Sequence, residues 1–382
     1  MKIADIKVYH VQPRWLMIKV ETEEGIVGWG EGTLEGKSLA VEQVIEQLKG
    51  DLIGQDCRNI EHLYHMMYRG GFYRCGAIAT SAISGIEQAL WDIKGKWLNV
   101  PVWQLLGGKC RDRIRMYAHV SPGTLMPSNE ELMEATKKRI SQGFTALKTA
   151  PFAPLRHIET LETVEKIVNQ FAVIRETAGK NIDIAIDFHG RVSPALAPIL
   201  FERLAEYHPM FIEEPILPEN VEAMSCLAKK TTIPIATGER LMTTFQFREI
   251  IEKQAAMVIQ PDISHCGGIL QAFKIAAMAE NYYCSIAPHN PLGPLALAST
   301  LQLDTCIHNF TAQEHPTMED GRDLGVGILK KPFVINDGYI EVPKGAGLGV
   351  EVDEIALSEI LYHGKWSNPI LYNQDDHSIA EW

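Results

Sequence analysis

Basic residues are in short supply in this chain of 382 residues: 36 Lys and Arg stand against 48 Asp and Glu, a net charge of −12. That balance argues against nucleic acid or an anionic membrane as partner. No apolar run approaches the length that a membrane span needs, so none is expected. A charged segment followed by an apolar core, the mark of a secretory signal, is also missing, and the chain starts on an alternating strand pattern. The seven cysteines are odd in number and lack CxxC spacing, which fits reduced thiols in the cytoplasm. Low-complexity tracts and internal sequence repeats are absent too. What is left, 46% hydrophobic and 22% charged, is ordinary soluble protein with length for about two domains.

Against that background one spacing stands out. Asp187, Glu213 and Glu239 each close a short apolar run (Ile184-Ala185-Ile186, Met210-Phe211-Ile212, Pro234-Ile235-Ala236), and they are evenly spaced along the chain. A strand, a helix and two turns take about 25 residues, so the spacing predicts consecutive strand–helix units of a parallel sheet. Asp262, His289 and Glu314 continue the series at nearly the same interval. Upstream, Ile114–Ala118 and Thr145–Lys148 read as two earlier strands. Eight strands with helices between them predict a (β/α)8-type TIM barrel, in which polar residues at strand C-termini line the active site. A single acid after a strand is commonly only a helix N-cap. Six polar residues in register make that reading weak. Three carboxylates converging on one face are hard oxygen ligands of the kind Mg²⁺ takes.

Residues 1–112 read as an α+β unit. Trp15–Thr22 and Ile26–Glu31 flank Glu23-Glu24-Gly25 as a hairpin, and Val41, Val44, Ile45, Leu48 and Leu52 recur at helical spacing. A glycine-flanked loop, Gly70–Gly76, precedes a helix whose expected buried stripe is Ile83, Ile86, Leu90, Ile93 and Trp97. Residues 113–325 hold the barrel pattern. Residues 326–382 carry a hairpin signal at Asn336-Asp337-Gly338 and no barrel unit, so they are expected to pack back on the N-terminal unit.

The chemistry follows from what stands on the ruler. His189 lies two residues beyond Asp187, on the same face for as long as the strand lasts, as a fourth ligand or an acid/base. Asp262 ends the strand before His289, the arrangement of a general base with an orienting carboxylate. A metal between two histidines suits abstraction of the proton α to a carboxylate. General acid–base catalysis supplies roughly 10²–10⁴-fold, and enzymes commonly need 10⁶-fold or about 8 kcal/mol. Electrostatic stabilisation of an enediolate by the metal must carry the rest. Glu314, if protonated or bridged by water, would hydrogen-bond the other enediolate oxygen. Dehydration of a hydroxy acid or racemisation both fit this set.

The runs Asp187-Phe188-His189-Gly190, Phe211-Ile212-Glu213-Glu214-Pro215, Thr237-Gly238-Glu239-Arg240, Gln260-Pro261-Asp262 and Ala287-Pro288-His289-Asn290-Pro291-Leu292-Gly293-Pro294 resemble the mandelate racemase subgroup of the enolase superfamily. The resemblance extends through Ala89–Lys96 to Ala380-Glu381-Trp382 and is nearest the D-galactonate dehydratases. It implies an enolase-like modified barrel under an α+β capping domain, and one Mg²⁺ on Asp187, Glu213 and Glu239. His289 with Asp262 would abstract the C2 proton, His189 would act as acid on the departing 3-hydroxyl, and Glu314 would contact the substrate carboxylate. Arg14, Tyr73, Arg74 and Lys148 would contact a small anionic sugar acid, and a homo-oligomer is expected. One departure is plain: many relatives carry Lys-x-Lys after the second strand, and here the stretch is Lys148-Thr149-Ala150, followed by Pro151-Phe152. The missing lysine base disfavours a lysine racemase and fits a His/His dehydratase. A 2-epimerase, a cycloisomerase and a non-catalytic sugar-acid-binding relative are the competing readings.

Overall fold

The computed structural model describes residues 1–120, 127–150 and 153–381. The chain opens with an antiparallel sheet of β1 (Ile3–Val11), β2 (Trp15–Thr22) and β3 (Val27–Glu31), in that spatial order. Both faces of β2 are covered: Leu16, Ile18 and Val20 join the main core, while Trp15 and Met17 join a second cluster with Leu295, Ile328 and Val352. Three helices follow, α1 (Ser38–Leu52), α2 (Ile60–Arg69) and α3 (Ala77–Leu98), and then a single turn, α4 (Val102–Leu105). Gly28 and Gly30 let β3 lie backbone to backbone on α3, since a Cβ at either would stand 2.1 Å from a carbonyl oxygen of that helix. Along α3, Ile83, Ile86, Leu90 and Ile93 are buried, but Trp97 is 45% exposed under the Arg58 guanidinium. The polar side of α3 is buried instead, with Glu87 and Gln88 against the barrel helices that carry Ile269 and Ser299 and Asp92 against the backbone of Trp29 and Leu348.

The barrel is laid down as β4 (Arg113–His119) and α5 (Asn129–Ser141), β5 (Ala146–Thr149) and α6 (Leu161–Ala178), β6 (Asp183–Asp187) and α7 (Ala197–Ala205), then β7 (Ile212–Glu213) and α8 (Val221–Ala228). It continues with β8 (Ile235–Thr237) and α9 (Thr244–Glu252), β9 (Val258–Ile259) and α10 (Ile269–Glu280), β10 (Ser285–Ile286) and α11 (Pro294–Cys306), and ends at β11 (Gln313–His315). Strands β4 to β10 pair in order and in parallel. β11 returns to β4, and one bridge between Ile286 and Phe310 closes the ring. The ring is narrow enough that its floor holds five alanines around Tyr117 and Phe211, whose rings meet edge-on at 6.3 Å.

The eighth strand has no α-helix after it among the described residues. A single 3₁₀ turn at Arg322–Leu324 takes that place, held to one turn by Gly321 and Gly325 at φ 69° and 96°. The hairpin that follows, β12 (Ile335–Asn336) and β13 (Tyr339–Glu341), turns on Asp337 and Gly338, both at positive φ as a two-residue turn requires. It does not join the N-terminal unit as expected: β13 pairs antiparallel with Arg113–Arg115 at the entry of β4, and Arg113 covers the Tyr339 ring at 3.9 Å. The chain on either side of it crosses over: Ile328 and Leu329 before it join the cluster of Trp15 and Met17, and after it Leu348 N donates to Asp92 and α12 (Glu354–Glu359) pairs with Lys19. Gln12 N then donates to Ile360 O, and Tyr362 N to His10 O. Among the described residues no helix is long and apolar enough to cross a membrane.

Candidate active site and metal centre

Asp187 is the last residue of β6 and Glu213 the last of β7, while Glu239 comes two residues after β8. Gly238 makes that last step possible: at φ 154° it passes so close to the backbone of Gln260 that a Cβ would stand 2.6 Å from it. Parallel register sets Asp187 beside Glu213. One oxygen from each of the three carboxylates lies within 4.8 Å of the others.

Lys148, near the end of β5, pushes its ammonium into this cluster, 3.0 Å from Asp187 Oδ2, 3.1 Å from Glu213 and 2.7 Å from Glu314 Oε1. Burial alone would lower the lysine, but Asp187, Glu213 and Glu314 hold it well above its ordinary value. Burial and then the charge of Asp187 push Glu213 well above the usual carboxylate range. Burial would raise Asp187 as well, yet His189 and Lys148 hold it down at about 2. One ammonium therefore does not balance the cluster. Asp187 Oδ2 is fully buried and ion-paired to Lys148 and His189 at 3.0 and 3.2 Å. Three hard oxygen donors that converge on one point, with more negative charge than the one ammonium among them offsets, fit a divalent cation.

His289 follows β10. Its Nδ1 lies 2.8 Å from Asp262 Oδ2, and its Nε2 points to Glu239 Oε2 at 3.1 Å. Asp262 thus assigns the Nδ1–H tautomer and leaves Nε2 toward the carboxylates. Burial opposes the charged ring, but Glu239, then Asp262 and Glu314, hold it up at about 10. His189 approaches from the other side, with Nε2 3.2 Å from Asp187 Oδ2. It does not get there by strand alternation, because β6 stops at Asp187. His189 itself is left-handed at φ 51°, and its own N–H donates to Asp187 Oδ1. Burial lowers this ring despite Asp187 and Glu239.

Glu314, within β11, is not a proton donor. Lys148 and His119 take its Oε1 at 2.7 and 2.8 Å, and Asn290 N donates to its Oε2. Against burial, Lys148, His119 and His289 hold it well below the carboxylate range, which favours the ionised form over the protonated one considered from sequence.

These groups open into a cavity of about 820 Å³ that includes Arg14, Lys148, His189, His289 and Trp366 in its wall. Arg14 lies 4.8 Å from the Trp366 ring, pairs with Glu35 at 2.5 Å and donates to Pro291 O. Tyr73 and Arg74 do not line it. Tyr73 is 88% exposed, and the Arg74 guanidinium turns back to donate to Arg69 O at the end of α2 and to Gly71 O on its own loop. Ala150 follows β5, whereas Pro151, Phe152 and Trp382 lie outside the described residues.

Four groups around the site escaped the sequence reading. His119 ends β4 and would have been found by extending the strand-end rule one strand upstream. His265 lines the cavity 3.6 Å from Asp262. Glu214 and Arg240 sit next to metal-type carboxylates in sequence, where strand alternation would turn them away. Instead the strands end there: Glu214 is at φ 36° and pairs with Arg240, which donates to His189 O.

A family model described as enolase C-terminal domain-like matches residues 131–356, and one for the mandelate racemase/muconate lactonizing enzyme N-terminal domain matches residues 6–107. Among solved structures, a provisionally named dehydratase from Mesorhizobium loti is 36% identical with a TM-score of 0.90, covering 95% of this chain and 99% of its own. A mandelate racemase/muconate lactonizing enzyme-like protein from Roseovarius sp. TM1035 is 32% identical over the whole of both chains, with a TM-score of 0.91. A provisionally named dehydratase from Salmonella enterica serovar Typhimurium is 30% identical, covers 95% and 99%, and has a TM-score of 0.87. With both domains matched and relatives of full length above 30% identity, the chain belongs to the enolase superfamily, in its mandelate racemase subgroup.

Proposed function

We propose that this protein is an Mg²⁺-dependent acid-sugar dehydratase that converts an aldonate, galactonate or a close relative, to its 2-keto-3-deoxy acid. The observation that carries the reading is the pair of histidines on opposite flanks of the carboxylate cluster, His289 against Glu239 and His189 against Asp187. Asp187, Glu213 and Glu239 would hold the Mg²⁺, which supplies charge stabilisation to the substrate carboxylate as negative charge builds on it. His289, with its tautomer set by Asp262, takes the C2 proton on Nε2. The C3–O bond breaks as His189, entering the step as the imidazolium despite the burial that lowers it, hands a proton to the departing hydroxyl and becomes neutral, releasing water, and the enol product tautomerises to the keto acid. Glu314 stays ionised and fixes Lys148 and His119 at the wall. Relatives named as dehydratases support a lyase, and those named for racemase chemistry keep a 2-epimerase as the second reading, since two flanking histidines also suit proton transfer at C2.

A screen of aldonic and aldaric acids with Mg²⁺, trapping keto acid with semicarbazide, tests the proposal. One strong hit is expected. His189→Asn should then lose keto-acid formation by roughly 10²-fold or more while still exchanging C2–H for deuterium. If His189→Asn forms product at the parent rate, the acid is elsewhere. Racemised substrate without keto acid would favour the epimerase.

A cation on Glu239 withdraws the partner that keeps His289 charged. Magnesium binding should therefore release about one proton near neutral pH and tighten as pH rises. In the absence of cation the raised His289 contributes stability that is complete below its ordinary 6.5 and lost as pH rises through about 10. Calorimetric titration in buffers of different ionisation enthalpy measures the proton count. A binding heat independent of buffer would show that His289 is already neutral.

A further inference from the structure

The two loops that carry Asp262 and His289 both run into helices whose N-termini are capped from the other domain. α5, α6 and α8 receive side-chain caps from their own Ser128, Thr160 and Asn220. α10 and α11 receive none from their N-cap residues, which are the glycines Gly268 and Gly293. Glu31, the last residue of β3, fills the place at α11. Its Oε1 accepts from Gly293 N at 2.8 Å and its Oε2 from Ala296 N at 3.0 Å, while Thr33 Oγ1 donates to Oε1. Glu87 on α3 does the same at α10, accepting from Ile269 N at 2.7 Å and Leu270 N at 3.0 Å, with Trp91 Nε1 steadying it.

The fit is close on both sides. A Cβ on Gly293 would meet the Glu31 carboxylate at 2.7 Å, and one on Gly268 would meet that of Glu87 at 2.1 Å. Neither carboxylate is free to move. Gln88 brackets the backbone of Glu31, accepting from its N–H and donating to its carbonyl, and it also accepts from Ser299 on α11. On the loop after β9, Ser84 accepts from Gly267 N and Ser81 contacts His265 Nδ1 at 2.9 Å. Asp262 lies in that same loop, three residues after β9, and its carbonyl accepts from His265 N and Cys266 N. His289 stands four residues before Gly293, and Arg14 holds Pro291 O between them.

Both carboxylates are almost completely buried, which is a costly place for a charge. Each offsets that cost with two backbone N–H donors at the positive end of a helix. A serine or asparagine at the N-cap would satisfy the same helix end locally at less cost. The glutamates do something a local cap cannot: they tie the position of each loop to the N-terminal domain.

We infer that Glu31 and Glu87 are positioning residues through which the N-terminal domain sets the geometry of the Asp262–His289 pair. This rests on the reading of that pair as the proton-transfer dyad, but its test needs no substrate. Amide hydrogen exchange and ¹⁵N-histidine NMR are recorded on the full chain with Mg²⁺, the His289 signals being assigned by their loss in His289→Asn. In Glu31→Ala the amides of Gly293, Leu295, Ala296 and Leu297 should exchange about tenfold faster, the scale of a lost cap, while segment 183–239 is unchanged. The His289 Nδ1 proton bonded to Asp262 should shift or broaden. Glu87→Ala should act on 267–272 and disturb the same histidine signal from the Asp262 side.

Glu31→Gln keeps one of the two acceptor oxygens and should move the His289 signal part of the way that Glu31→Ala does, without returning it to the parent position. An unchanged His289 signal beside faster exchange at Gly293 would reduce Glu31 to a plain cap and overturn the inference. If Glu31→Ala does not fold, Glu31→Gln and Thr33→Val decide: a parent-like histidine signal in both overturns it, and a graded shift supports it. A blank substrate screen with these NMR effects intact would count against the dehydratase reading alone.

Discussion

His289→Asn should abolish turnover, by roughly 10²–10⁴-fold or more, the scale of a general base, while Mg²⁺ binding survives. The two halves of that result come from different atoms. An asparagine can still donate an amide N–H to Asp262, where Nδ1 now sits at 2.8 Å, so the loop after β10 keeps its anchor. Nothing then occupies the position of Nε2, the basic atom that faces the carboxylates from that side. Asp187, Glu213 and Glu239 are untouched, so the cation site remains. Binding should even become easier at acid pH, because the charged imidazole that competes for Glu239 is gone. Calorimetric Mg²⁺ titration beside a keto-acid assay measures both halves. Activity within tenfold of the parent would remove His289 from the role of base.

Glu213→Gln is expected to be as severe, for the opposite reason. Glu213 is fully buried between Asp187 and Lys148, and its carboxylate is worth having ionised only when a divalent cation shares it. Exchanging it for a neutral amide removes one of the three oxygen ligands and leaves Asp187, Glu239 and Glu314 facing Lys148 and the charged His289, a set with less charge left for a cation to balance. Mg²⁺ binding should fall below detection. The barrier lowering left after acid–base chemistry, on the order of 10²-fold or more of a total of at least 10⁶-fold, should go with it. A chelator should do the same to the parent protein, and added Mg²⁺ should restore it. Full activity after chelation would show that Lys148 alone carries the electrostatics.

Much of the fold was written in the spacing of a few residues. A strand–helix unit has nearly fixed length, so polar residues that end apolar runs at near-constant intervals betray parallel strands. They do so even where the strand is only two residues long, as in β7, β9 and β10. The same rule brought Asp187, Glu213, Glu239, Asp262, His289 and Glu314 to one end of one barrel. It failed where the backbone leaves the strand. The left-handed turn at His189 and the positive φ of Glu214 place side chains that period-two alternation would send elsewhere. Substrate-contact candidates chosen from a glycine-flanked loop fared worst, because loop direction is set by tertiary packing: Tyr73 faces solvent while Arg14 is held by Trp366 and Glu35. The trans caps were invisible for a similar reason. Glu31 meets Gly293 across 262 residues of chain, and no local pattern records such a meeting.

The mouth of the cavity is roofed from both distant parts of the sequence. Arg14 and Glu35 come from the first unit, and Trp366 from the segment after the barrel; nearby, Lys19 and Glu354 pair across 335 residues. Strands β4 to β10 pair with their neighbours in sequence, whereas the roof joins segments far apart in the chain, as where Arg14 lies on Trp366. Loop-closure entropy grows only slowly with length, so such contacts need not be weak. The surface that would meet the rest of a substrate is therefore built from segments other than those that carry the carboxylate ring, so its sequence can vary without changing a residue of that ring.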